Sequence, residues 1–187
     1  MKTRYQACIS IFFFLLICIS AVPTVAQNNQ NFCTALNSVL KSLTAKGDWL
    51  TKLKGTKLDV PYFLPDNYSS AIKIPGSSIS FIHQRREKAK TDSANYYFNA
   101  VMESKKVFSK DLLTKFNRLK DSVAGCTKNF TPEEDLYNRY AEHDAYYTRR
   151  SGNTAVELSL YFNSNAATWV ILLTVEWKLW LDEGDID

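Results

Sequence analysis

Of the 187 residues, 23 are Lys or Arg and 19 are Asp or Glu, a formal net charge of +4. So even a balance excludes the strongly basic surface that marks a nucleic-acid partner. With 45% hydrophobic and 13% aromatic residues the chain can build a packed core, which excludes intrinsic disorder.

Lys2 and Arg4 precede an apolar stretch from Ala7 to Val22, centred on Phe12-Phe13-Phe14-Leu15-Leu16. Pro23 and then Thr24-Val25-Ala26 follow, with small residues where a signal peptidase reads. This order predicts a secretory signal peptide over residues 1–26. The apolar segment is shorter than the roughly 20 residues of a spanning helix. Ile17 stands where lipid attachment to Cys18 would need a small side chain, so a lipoprotein is excluded. Removal of the signal leaves one domain, residues 27–187, secreted or periplasmic and without a membrane span. Losing Lys2 and Arg4 lowers its net charge from +4 to +2.

Gln27 to Asn31 are polar and read as a frayed start. Phe32, Leu36, Val39, Leu40 and Leu43 then recur at helical spacing, and Gly47 offers a stop. KLKGTKLDV, from Lys52, is a short strand candidate. Tyr68, Ser70, Ile72 and Ile74 share one face of an extended segment, and Ile79, Phe81 and His83 share one face of the next. Pro75-Gly76 turns between them, which predicts a hairpin. QRREKAK, from Gln84, reads as a charged loop.

Thr91 or Asp92 can cap a long helix carrying Phe98, Val101, Phe108, Leu112, Leu119 and Val123, with Gly125 as its stop. At 1.5 Å per residue that helix is about 50 Å long, so a kink or restart is expected at Ser109-Lys110-Asp111. Three alternating segments complete the chain. YAEHDAYYTRR ends at Arg150 and turns through Ser151-Gly152-Asn153. NTAVELSLYF turns through Asn163-Ser164-Asn165, and TWVILLTVEW follows. Glu176 and Lys178 in so short a run oppose a membrane helix, and the period-two alternation predicts a central strand.

The expected fold is α+β: a single, mostly antiparallel sheet of five to six strands, with an N-terminal helix and a long central helix packed on one face. Cys33 and Cys126 are the cysteines left after signal removal, an even count in an exported protein. Metal or catalytic thiols use shorter spacings, so a disulfide stapling two antiparallel helices is expected.

WLTKLKG early, SAIKIPGSSISF before a long helix, a Phe-Cys start and a cysteine ending that helix resemble a group of small secreted bacterial proteins of unknown function. The resemblance covers most of the chain after the signal and implies the architecture, with no catalytic residue to carry over. The topology is also similar to profilin-like and roadblock-like domains, which serve mainly as binding and adaptor modules; this is fold-level analogy.

Chemistry-bearing residues are few. Of two histidines, His143 lies in Glu142-His143-Asp144, but in a strand those carboxylates point away from the imidazole. His83 shares a strand face with Ile79 and Phe81. No nucleophile elbow, zinc-protease pattern, phosphate loop or dinucleotide fingerprint is present, and neither metal nor cofactor is expected. Arg85, Arg86, Lys88, Lys90, Lys105, Lys106 and Lys110 can form a patch for an anionic partner, though such runs are usually solvated faces. Tyr96-Tyr97 and Tyr146-Tyr147 can stack on sugars or bases, although adjacent aromatics mostly divide between core and surface. Asn67 and Asn129 begin glycosylation triplets.

These residues point to an exported, non-enzymatic interaction module that binds an unidentified protein or envelope component. Trp177, Trp180 and Leu181, with an acidic tail behind them, are the expected anchor. The rival reading is a small exported hydrolase using Glu142, Asp144 and a histidine, His143 or His83.

Overall fold

A computed structural model describes residues 23–44, 52–58, 67–87, 93–133 and 144–180. Among the described residues the fold is α+β, with two long helices and one antiparallel sheet. The sheet has eight strands in the order β1-β2-β3-β4-β8-β7-β6-β5, more than the five to six expected. Part of the excess comes from β4, where the spacing predicts a helix, and part from the three-residue strand β5.

Helix α1 spans Pro23–Thr44 and buries Phe32, Leu36, Val39 and Leu43 along one stripe. It starts upstream of Phe32, so Gln27 to Asn31 are helical rather than frayed. The expected stop at Gly47 lies outside the described residues. β1 (Lys54–Lys57) and β2 (Asn67–Ser70) are short and antiparallel. Gly55 permits their close approach, because a Cβ there would meet the Ser69 carbonyl oxygen at 2.8 Å.

β2 pairs with β3 (Ile79–Glu87), as the predicted hairpin requires. The link, residues 71–78, is longer than a tight turn and holds Ile72 and Ile74, with Gly76 at φ +84°. Tyr68, Ile72 and Ile74 reach the core, whereas Phe81 and His83 lie on the opposite face. β3 also continues through Gln84 to Glu87, where a loop was expected.

The largest correction follows. Ser93–Lys105 is strand β4, not the first half of a long helix. Ala94, Tyr96, Phe98, Ala100 and Met102 alternate into the core. The expected restart is where helix α2 begins: it spans Lys110–Cys126, and Ser109 caps it by accepting from the Leu112 N–H at 3.3 Å. Gly125 is inside that helix rather than its stop. Thr127 closes it, its hydroxyl donating to the Val123 carbonyl at 2.6 Å.

After β5 (Thr131–Glu133) come β6 (Ala145–Ser151), β7 (Thr154–Asn163) and β8 (Thr168–Trp180). The last three form the expected antiparallel meander. β8 is central: it pairs with β7 on one side and with β4 on the other.

Leu112, Phe116 and Val123 of α2 join the α1 stripe on the same sheet face. There they meet Ile82, Phe98, Val156, Leu158, Leu160, Ile171, Leu173 and Val175. Cys33 and Cys126 are bonded, as expected. Four residues earlier on each helix, the Ser122 hydroxyl donates to Asn29 Oδ1 at 3.1 Å. The two links advance in the same direction along both helices, so the helices pass in a parallel sense, not antiparallel. Among the described residues, no helix is long and apolar enough to cross a membrane.

Candidate functional site

The sheet face turned away from the helices carries the site. Alternation along five strands brings two rows of side chains together. Cross-strand pairing sets the first as His83, Tyr97, Glu176, Ala155 and Arg150. The second runs Phe81, Asn99, Thr174, Glu157 and Thr148. All of these except Phe81 line a cleft of about 340 Å³. Ala155 has the smallest side chain in either row. Standing between Glu176 and Arg150, it opens the floor of the cleft.

The cleft walls are cross-linked by hydrogen bonds. The Tyr97 hydroxyl donates to Glu176 Oε1 at 3.1 Å and accepts from Asn95 Nδ2 at 3.2 Å. Thr174 Oγ1 donates to Asn99 Oδ1 at 3.0 Å, and Asn99 Nδ2 lies 3.3 Å from His83 Nδ1. The His83 and Tyr97 rings stack at 4.6 Å with their planes 14° apart. Asn99 is only 4% exposed, so these polar groups are held by the fold and not by water alone. At the β6 edge Arg150 Nε pairs with Glu133 Oε1 at 2.6 Å.

Charge acts further along the same face. Burial, aided by the Glu157 carboxylate, raises the Tyr161 phenol above its ordinary value of 10.0. Among the described residues no group of three or more His, Cys, Asp and Glu can hold a metal ion. The cleft presents two carboxylates, an amide, an imidazole, a phenol, two threonine hydroxyls and a guanidinium.

The residues expected from the sequence fall differently. His83 lines the cleft, but Asp144, just ahead of β6, does not. Glu142 and His143 lie outside the described residues. Trp177 is 9% exposed and its ring stacks on Tyr96 at 5.4 Å, so it packs the core and presents no anchor. Trp180, the second expected anchor residue, is the last residue of β8 and pairs with Ser93. The strand simply continues through Lys178 and Leu179. Leu181 lies outside the described residues.

Each tyrosine pair divides between faces. Tyr96 and Tyr147 join the core, and Tyr97 enters the cleft. Of the glycosylation triplets, Asn129 is exposed, while Asn67 is 2% exposed.

Tyr97 stands out in the sequence only for its stacking ring, whereas Glu157, Glu176 and Asn99 were missed as site residues. Their one sequence signal is a polar side chain at an alternate position of a strand whose other face is uniformly apolar. No family model, curated protein or solved structure matches this chain. The likeness to profilin-like and roadblock-like domains therefore gains no support from solved structures.

Proposed function

We propose that the chain is an exported, non-enzymatic binding module that takes a small polar ligand in this cleft. The observation that carries the reading is the convergence of polar side chains from five strands around the Ala155 floor. A volume of about 340 Å³ suits a small-molecule ligand. The hydrogen bonds among Tyr97, Glu176, Asn99 and Thr174 hold the walls in place before a ligand arrives, which limits the ordering cost of binding. Export rests on the N-terminal segment, and the Cys33–Cys126 bond suits an oxidising compartment.

The test is a screen of sugars, amino acids and amines for thermal stabilisation, repeated on Ala155→Leu, which fills the floor. A ligand that stabilises only the parent protein supports the reading. If no compound separates the two proteins, the cleft is not a binding site.

One observation favours a hydrolase as a second reading: His83, Glu157 and Glu176 share the cleft. This is a different carboxylate set from Glu142 and Asp144. The binding reading is preferred because the cleft's polar groups bond to one another, Glu176 accepting from Tyr97 at 3.1 Å and Asn99 Nδ2 lying 3.3 Å from His83 Nδ1. Turnover of a bound ester or glycoside, lost in Glu157→Gln and Glu176→Gln with binding retained, would reverse that preference.

A further inference from the structure

We infer that the end of the sheet built from the β4–α2 and β7–β8 connections docks on an anionic bilayer surface. Val107, at the tip of the first connection, is 74% exposed, the largest value among the exposed large hydrophobics described. Its neighbour Phe108 packs edge-on against Trp169 at 5.0 Å, and Trp169 in turn meets Phe162 at 5.5 Å. Phe162 is itself 45% exposed. Pairing of Lys105 with Trp169 puts both connections at one end of the molecule. An apolar tip therefore rises from an aromatic platform.

The charges around that tip are mainly positive. Lys105, Lys106 and Lys110 are exposed. The nearby acids are Glu103, which is engaged by Lys115 at 2.9 Å and lies 3.8 Å from Lys105, and the exposed Asp111. The β7–β8 connection, residues 164–167, carries no charge to repel a headgroup layer. Tryptophan with phenylalanine suits the interfacial depth of a bilayer, and lysines draw anionic headgroups.

A protruding tip favours lipid over protein. Lipid yields around an inserted side chain, whereas a protein partner needs a broad complementary patch of roughly 800 Å². The cleft lies about 20 Å along the strands from this end, so docking leaves it open.

The experiment uses protein purified from the exported fraction, its N-terminus read by mass spectrometry. It is sedimented with vesicles of phosphatidylcholine alone or with about a third phosphatidylglycerol. Binding should be at least tenfold stronger on the anionic vesicles and should weaken with salt. Lys106→Glu and Lys110→Glu should each reduce it by about fivefold or more. Val107→Asp should abolish it, and Val107→Trp should strengthen it with the unfolding midpoint unchanged. Equal binding to both vesicle types, or indifference to both Val107 variants, overturns the inference. Crosslinking of an acidic protein at this tip without vesicle binding also overturns it, in favour of a protein partner.

Discussion

The Tyr97 hydroxyl joins Asn95 to Glu176, accepting from one at 3.2 Å and donating to the other at 3.1 Å, while its ring stacks on His83. Tyr97→Phe keeps the stack and removes both hydrogen bonds. Asn95 is 5% exposed, so loss of its partner should cost about 1–2 kcal/mol. Thermal unfolding reads this as a drop of several degrees, accompanied by weaker ligand binding. An unchanged midpoint would show that the hydroxyl does not organise the cleft.

The Cys33–Cys126 bond closes a loop with a sequence separation of 93. In the chain-entropy model it should stabilise the fold by about 4–5 kcal/mol. Reductant should lower the unfolding midpoint, and Cys33→Ser without reductant should match the reduced protein. Recovery of two free thiols from denatured, unreduced protein would refute the bond.

Glu103 is held below its ordinary value of 4.5, first by its hydrogen bond from Lys115 and less by the charges of Lys115 and Lys105, against some burial. A lowered carboxylate stabilises the fold above its unfolded value, and that contribution is lost as pH falls through the lower folded value. Both partners are partly exposed, so the effect is small, about 0.5–1 kcal/mol. Glu103→Gln should therefore be less stable than the parent at pH 7 and equal to it in strong acid. A gap that stays constant across this range would assign the effect to packing.

Tyr161 behaves in the opposite sense. Its raised phenol favours the neutral form in the fold, so its contribution is complete below the unfolded value near 10.0 and is lost as pH rises beyond it. Above that pH the parent should lose stability relative to Tyr161→Phe. Burial is the larger cause, so Glu157→Gln should lower the phenol only part of the way to normal. Absorbance titration of the phenolate tests the order of the two causes.

The last three strands and the α1 stripe were legible because each carries one unambiguous period. β4 was not. Residues four apart share a face in a strand as well as in a helix, so Ala94, Phe98 and Met102 fit both patterns. Asn95 and Asn99, poor helix formers, and the β-favouring Tyr96-Tyr97-Phe98 run argue for the strand. A single helix over both segments is longer than the strands it would cover, and Ser109 marks where the strand gives way to α2. The cleft was harder to see. Its rows depend on register across five strands, and His83 meets Glu176 through Tyr97 only once β8 lies beside β4. Sequence spacing carries no trace of that meeting.

The position of β8 has a consequence for how the molecule is made. During synthesis the first meander, β1 to β4, emerges with β4 as an open edge. The second meander, β5 to β8, also ends on an open strand, and the two edges close on each other. The seam of the sheet is thus completed by β8, the last of these eight strands to emerge. Such distant pairing is slow to form, and it leaves two long apolar edges exposed meanwhile. A chain stopped before Thr168 therefore lacks not a margin but its middle, with two half-sheets that have nothing to join.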